Sequence, residues 1–113
     1  MKLRTLIVED EAIIAISLEA MLNDLGHMVV GTASCLDEAR DMITSLDFEL
    51  AVLDLNLGGE MSFPLADLLI QSGKPFVFST GYNEDVLDER YSGRPVLTKP
   101  YGELALVEVL GRL

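Results

Sequence analysis

Charged and hydroxyl side chains follow short apolar runs at several separate places in the 113-residue chain. These residues are Glu9, Asp10, Asp54, Thr80 and Lys99. If the three carboxylates meet, each like-charged pair costs about 4 kcal/mol at about 4 Å and an effective dielectric near 20, so the cluster calls for a cation. A few hard oxygen ligands with room for water suit Mg²⁺. Lys99 would add a second, fixed positive charge.

Asp54 is the candidate nucleophile of this group. A carboxylate can attack phosphorus to give an aspartyl phosphate. Mg²⁺ and Lys99 would neutralise charge on the transferring phosphoryl group, where most of the catalysis of such transfers lies. Thr80 can donate its hydroxyl to a phosphoryl oxygen only once that group has arrived, which makes it a candidate switch rather than a catalyst.

Each of these residues also has an ordinary structural explanation. An Asp after an apolar run is usually a turn or cap residue, and an acidic pair such as Glu9-Asp10 is favoured at a helix N-terminus by the helix dipole. Thr80-Gly81 alone indicates only a turn, and Lys99-Pro100 alone does not indicate a function. The combination points to phosphoryl chemistry, because four separate runs end in an acid pair, an Asp, a Thr and a Lys.

The elements that must position these side chains alternate along the chain. The apolar runs are continuous rather than alternating, as is typical of strands covered on both faces; they are residues 6–8, 28–30, 50–53, 76–78 and 95–97. Segments of helical period separate them. A third helix is predicted from Ser62 to Gly73, and a fifth is predicted to carry the apolar stripe Leu104, Val107 and Leu110.

The fourth helix is the weakest of the five. Residues 83–90 offer only Val86 and Leu87 as apolar anchors, which predicts a marginal, mobile helix and a candidate element for a switch. Five strands alternating with five helices predict one α/β domain over residues 1–113, a doubly wound (βα)5 fold with a parallel sheet. In such sheets ligands bind outside the carboxyl ends of the strands.

Composition excludes several functions. The chain has 8 Lys and Arg against 19 Asp and Glu, for a formal charge of −11, and no basic cluster, so we expect no direct binding of nucleic acid and no attraction to an anionic membrane. No apolar run approaches the length of a membrane span, and the first residues are not expected to form a signal peptide. With the single cysteine Cys35 no internal disulfide can form, and a cytoplasmic setting is expected.

The chain resembles the receiver domain of two-component response regulators over essentially its whole length. The similar motifs are Val8-Glu9-Asp10-Glu11, Leu53-Asp54-Leu55-Asn56, Ser79-Thr80-Gly81 and Thr98-Lys99-Pro100. The segment Phe78-Ser79-Thr80-Gly81-Tyr82 further resembles a subgroup whose fourth strand ends in Phe-Ala-Thr-Gly-Tyr, often found as single-domain receivers in alphaproteobacteria.

This resemblance implies a flavodoxin-like five-stranded parallel sheet in the order 2-1-3-4-5. It implies that Asp54 accepts a phosphoryl group from a sensor histidine kinase or a phosphotransfer protein, and that the phosphorylated domain binds a downstream effector. Mg²⁺ would be bound by Asp10, Asp54, the backbone carbonyl of Asn56, and Glu9 directly or through water.

The resemblance also implies that Thr80 and Lys99 bind the phosphoryl oxygens. Such domains remove their own phosphoryl group, with the attacking water placed partly by the side chain of Asn56. This activity, like phosphotransfer, is self-catalysed, so the chain is not expected to be an enzyme with a metabolic substrate.

Two departures from the receiver pattern bear on the switch. Val96 stands where typical receivers have an aromatic residue, so the usual Thr–aromatic coupling cannot operate here. Tyr82 and Tyr101 lie near Thr80 and Lys99 in sequence. They either pack on the surface or take over a switching role. The usual Met-Pro after the phosphoacceptor is also missing, and Gly58 and Gly59 predict an adaptable loop there.

Two other functions remain as alternatives. A Mg²⁺-dependent phosphatase of the haloacid dehalogenase type also uses a strand-end Asp, but it needs a second Asp two residues on, where this chain has Asn56, and a cap domain for which the chain is too short. A pseudo-receiver would bind a partner without phosphorylation.

Overall fold

Five parallel strands form the central sheet of the computed structural model, which describes residues 2–81, 91 and 93–113. The elements in chain order are β1 (Arg4–Val8), α1 (Ala12–Asp24), β2 (Met28–Ala33), α2 (Leu36–Ser45), β3 (Leu50–Asp54), β4 (Asn56–Leu57), β5 (Glu60–Met61), α3 (Phe63–Gln71), β6 (Phe76–Thr80), β7 (Val96–Thr98) and α4 (Glu103–Leu110).

The sheet has the order β2-β1-β3-β6-β7, and all four pairings are parallel. Because β4 and β5 lie outside it, this is the order 2-1-3-4-5 when only the strands of the sheet are counted. The predicted fold class and all five predicted strands are therefore confirmed.

Two apolar layers cover the sheet, one on each face. Side chains of successive strand residues point to opposite faces, so Ile7 packs in one layer while Leu6 and Val8 pack in the other. The layer with Leu6 includes residues of α2 and α3, and the layer with Ile7 includes residues of α1 and α4. All five residues of β3 are buried, which explains why its sequence is a continuous apolar run up to Asp54.

The predicted third helix forms close to the expected limits. Ser62 is the N-cap residue of α3, and a proline lies in the first turn, where its missing N–H costs nothing. Gly73 follows the helix with a φ of 69°, in the left-handed region that favours glycine. The predicted fourth helix and Tyr82 lie outside the described residues.

A hairpin replaces the adaptable loop predicted after Asp54. β4 and β5 pair antiparallel, with Leu57 opposite Glu60. The two residues between them, Gly58 and Gly59, have φ angles of 60° and 97°. Positive φ at both central residues is the pattern of a type I′ turn, which matches the twist of a two-residue hairpin and strongly favours glycine. The glycine pair therefore specifies a defined turn rather than a loose one.

The stripe predicted for the last helix is largely wrong. Leu104 is 86% exposed and Val107 is 47% exposed, whereas α4 buries Leu106, Val109 and Leu110 against the sheet. Most positions of α4 are apolar, so the spacing of apolar residues does not show which face of the helix packs against the sheet. The position of α4 beside β7 decides it.

This difference predicts unequal costs for two similar substitutions in α4. Leu106→Ala should lower the free energy of unfolding by about 2–5 kcal/mol, because it leaves a cavity in the core. Leu104→Ala should change it by no more than about 0.5 kcal/mol, because the side chain is already in solvent. Urea denaturation of both variants measures this, and equal losses would contradict the packing described here.

Candidate functional site

Four strands of the parallel sheet end at one edge and bring the predicted side chains together there. The register pairs Val8 with Leu53 and Asp54 with Ser79, so the residues that follow these strands emerge side by side. A cleft of about 470 Å³ opens at this edge, and its lining includes Asp10, Asp54, Asn56, Thr80 and Lys99.

Lys99 bridges two buried carboxylates beside this cleft. Its Nζ lies 2.7 Å from Oε1 of Glu9 and 3.2 Å from Oδ2 of Asp54. Only 3% and 7% of these two acidic side chains are exposed, so the ammonium neutralises charge that water cannot reach. The backbone holds Lys99 in place, because its N–H donates to the carbonyl of Thr80 at 2.7 Å.

Three carboxylates form a cluster with the donor chemistry of a hard cation. One oxygen each of Glu9, Asp10 and Asp54 lies within 4.8 Å of the others. Two of these residues are buried and Asp10 is exposed, so the cluster opens to solvent on one side. Asn56 lies beside it, and its backbone N–H donates to Oδ1 of Asp54 at 3.3 Å. This all-oxygen set with an open side fits Mg²⁺.

Burial and like charge change the acidity of this site. Burial raises the pKa of Asp54 to about 7, and the neighbouring Glu9 adds to the rise while Lys99 opposes it. Burial alone would lower the pKa of Lys99, but its hydrogen bond to Glu9 and the charge of Asp54 outweigh this effect and raise it. Lys99 therefore stays charged at neutral pH, while Asp54 sits near its titration point when no other cation is present.

Backbone amides orient the carboxylates. The N–H of Glu11 donates to Oε2 of Glu9 at 3.2 Å, and the N–H of Gly58 in the hairpin donates to Oδ2 of Asp10 at 3.1 Å. The side-chain oxygen of Asn56 accepts a hydrogen bond from the N–H of Gly59 at 2.8 Å. The side chain of Asn56 is thus engaged within the hairpin turn.

An aromatic cluster that the sequence analysis missed lies on the side of the sheet to which Thr80 points. Tyr91 is fully buried, stacks on Phe63 with ring centroids 5.0 Å apart, and meets Phe78 edge-on at 5.6 Å. Its hydroxyl donates to Oδ1 of Asp67 at 2.6 Å. No sequence pattern marks Tyr91 as a buried residue.

Tyr101 is more buried than a residue that simply packs on the surface, which was one of its two predicted roles. Its hydroxyl is buried near Glu9 and Lys99, and so is the hydroxyl of Ser79. Among the described residues neither hydroxyl has a well-formed hydrogen-bond partner. Burial raises the pKa of Tyr101 above its usual value, and the Ser79 hydroxyl opposes that rise. Tyr101 therefore stays protonated at neutral pH.

The family model of the response regulator receiver domain matches residues 5–110. The chain belongs to this family. The receiver identification made from the motifs is thereby confirmed, and receiver domains are regulators of two-component signalling rather than classical enzymes.

Curated relatives support the assignment over part of their own length. The phyllosphere-induced regulator PhyR of Methylorubrum extorquens is 35% identical over 100 residues, which cover 85% of this chain and 38% of PhyR. The sensory transduction protein LytT of Bacillus subtilis is 32% identical over 114 residues, which cover 96% of this chain and 46% of LytT. The chain therefore spans less than half the length of these relatives.

Solved structures share the fold. The solution structure of SdrG from Sphingomonas melonis has a TM-score of 0.87 and 40% identity, covering 96% of this chain and 93% of SdrG. The response regulator PhyR from Brucella abortus has a TM-score of 0.86 and 28% identity, covering 99% of this chain and 47% of PhyR.

Within residues 2–81, 91 and 93–113, no helix is both long and apolar enough to cross a membrane.

The raised pKa of Asp54 predicts a pH-dependent stability in metal-free buffer. The folded pKa of about 7 lies above the ordinary value of 3.8. Folding therefore gains stability from proton binding at low pH, and this gain is lost as the pH rises through about 7. The free energy of unfolding of Asp54→Asn relative to the wild type should increase between about pH 5 and about pH 8.

Urea denaturation in EDTA at several pH values checks this, and NMR of the Asp54 carboxyl carbon gives the pKa itself. A difference between the two proteins that does not change with pH, or a titration near the ordinary value, would contradict the burial described here.

Proposed function

We propose that this chain is a phosphoacceptor receiver that takes a phosphoryl group onto Asp54 from the phosphohistidine of a kinase or phosphotransfer protein. The observation that carries the proposal is the position of Lys99, whose Nζ lies 3.2 Å from Oδ2 of Asp54. A fixed cation at this distance is placed to neutralise the charge that a phosphoryl group brings.

The side chains that would take part in the transfer step line the cleft at this edge of the sheet. A carboxylate oxygen of Asp54 forms a bond to phosphorus, while the phosphorus–nitrogen bond of the donor imidazole breaks and its electron pair stays on nitrogen. Lys99 faces the same carboxylate and balances charge there. Thr80 lies in the same cleft and would donate its hydroxyl to a phosphoryl oxygen after transfer.

The carboxylate cluster supports a magnesium requirement. Glu9, Asp10 and Asp54 would hold the ion together with the backbone carbonyl of Asn56. When bound, Mg²⁺ supplies positive charge to the phosphoryl oxygens. Because burial and the neighbouring Glu9 disfavour ionised Asp54 at neutral pH, a second cation there would favour the nucleophilic form of this carboxylate.

The output of the domain would be a change in partner binding. Phosphorylation adds negative charge beside Thr80, which is buried at the end of β6. A downstream effector that reads this change is the expected partner, alongside the kinase, and the exchange is expected in the cytoplasm. A pseudo-receiver that binds partners without phosphorylation is less well supported, because the acidic cluster and Lys99 are all present at one site.

Acetyl phosphate tests the proposal without the unidentified kinase. With Mg²⁺, intact-mass spectrometry should show the addition of one phosphoryl group to the wild type and none to Asp54→Asn. Lys99→Ala should reduce the initial rate by roughly a hundredfold, because a charge that stabilises the transferring group is lost.

Arg112→Ala is the matched control for the loss of a cation. Arg112 pairs with Glu108 on the solvent side of α4, and its removal should leave the rate unchanged. Equal labelling of the wild type and Asp54→Asn would place the reaction elsewhere, and no labelling of any protein would favour the pseudo-receiver.

A further inference from the structure

The hairpin of β4 and β5 is joined to the acidic cluster by two hydrogen bonds. The N–H of Gly58 donates to Oδ2 of Asp10, which lies 48 residues away in sequence, at 3.1 Å. The N–H of the next residue, Gly59, donates to Oδ1 of Asn56 at 2.8 Å. One turn therefore contacts the side chains of two residues at the site.

These bonds depend on the left-handed conformation of the turn. A Cβ on Gly58 or Gly59 would meet no atom within 4 Å, so glycine is not required there by lack of space. The φ angles of 60° and 97° are what favour it, because most other residues are strained in this region. The turn conformation is what aims the Gly58 N–H at Asp10.

Asp10 is the member of the cluster that most needs such support. Glu9 and Asp54 are buried and are held by Lys99, whereas Asp10 is exposed. An exposed side chain samples several rotamers, and fixing it on ligand binding costs free energy. A hydrogen bond from a backbone amide removes part of this cost in advance.

We propose that the hairpin is a positioning element of the metal site: the Gly58 N–H holds Asp10 in place, and the side chain of Asn56 locks the turn that presents this N–H. The inference rests on the proposed function only in taking Mg²⁺ as the ion of the site. It assigns Asn56 a role in the turn, whereas the family resemblance implies that its side chain places the attacking water.

The same turn fixes the backbone of Asn56, whose carbonyl is an expected ligand. Asn56 lies in β4, its N–H donates to Oδ1 of Asp54, and its side chain closes onto Gly59. Breaking the turn should therefore disturb two ligands together, Asp10 and the Asn56 carbonyl. Residues that orient metal ligands typically change metal affinity by about 10–100-fold when they are substituted.

The first test measures Mg²⁺ binding to the unphosphorylated protein by NMR titration of backbone amides. Asn56→Ala and Asn56→Gln should both bind Mg²⁺ about tenfold more weakly than the wild type, because a longer side chain cannot close the same short turn. Met61→Ala changes the same hairpin without touching either bond, and it should bind Mg²⁺ like the wild type.

A second pair of variants tests the turn at Gly58 itself. Gly58→Asn should retain most of the affinity, because Asn tolerates the left-handed region, and Gly58→Val should lose it, because a β-branched residue does not. Both variants keep the backbone N–H. In the metal-free wild type the Gly58 amide proton should have the small temperature coefficient of a hydrogen-bonded amide, and in Asn56→Ala it should not.

The outcomes separate this inference from the proposed function. Wild-type affinity in Asn56→Ala and Asn56→Gln, with faster or slower loss of the phosphoryl group, would overturn the positioning role and restore the water-placing role. A wild type that binds Mg²⁺ in a hairpin-dependent way but takes no phosphoryl group would overturn the proposed function and leave the positioning role standing. Equal affinity of Gly58→Asn and Gly58→Val would also overturn the inference.

Discussion

The charge balance among Glu9, Asp54 and Lys99 is the constraint on which the rest of the site depends. Two carboxylates with almost no access to water face one another, and a single ammonium contacts both. Removing one partner from such a buried group is strongly destabilising, because it leaves a buried charge without compensation. Here the ends of β1, β3 and β7 supply one member each, which a parallel sheet places at one edge.

The apolar layers on the two faces of the sheet raise the pKa of Asp54. Because both faces of β3 are covered, Asp54 emerges from a dry interior, and burial brings its pKa to about 7. The proposed Mg²⁺ would supply the missing positive charge from the open side of the cluster, where Asp10 faces solvent. The structure thus combines one permanent cation, Lys99, with room for an exchangeable one.

Much of the fold and the candidate site follows from the sequence, for identifiable reasons. Continuous apolar runs predict the strands, and those of β1, β3 and β6 are buried on both faces. The residues that follow the strands meet at one edge because parallel strands share their direction. The face of α4 could not be predicted, because Leu104 and Leu106 are equally apolar and only the position of the helix distinguishes them.

The parts that were missed depend on contacts between distant residues. The Gly58 N–H contacts Asp10, which lies 48 residues earlier in the chain. Tyr91 packs against Phe63 of α3 and Phe78 of β6. The pair Gly58-Gly59 is a local signal for a two-residue type I′ hairpin, but glycine is also typical of adaptable loops, and the pair alone does not distinguish the two.

Locating the phosphoryl group chemically tests the role of Asp54 without reference to the kinase or the effector. Borohydride reduces an aspartyl phosphate to homoserine, so protein treated with a phosphoryl donor and Mg²⁺, then with borohydride, can be digested and sequenced by mass spectrometry. We expect homoserine at position 54 and unmodified Glu9 and Asp10. Modification at either of those two residues instead, or unmodified Asp54 after complete reaction of the donor, would contradict this role of Asp54.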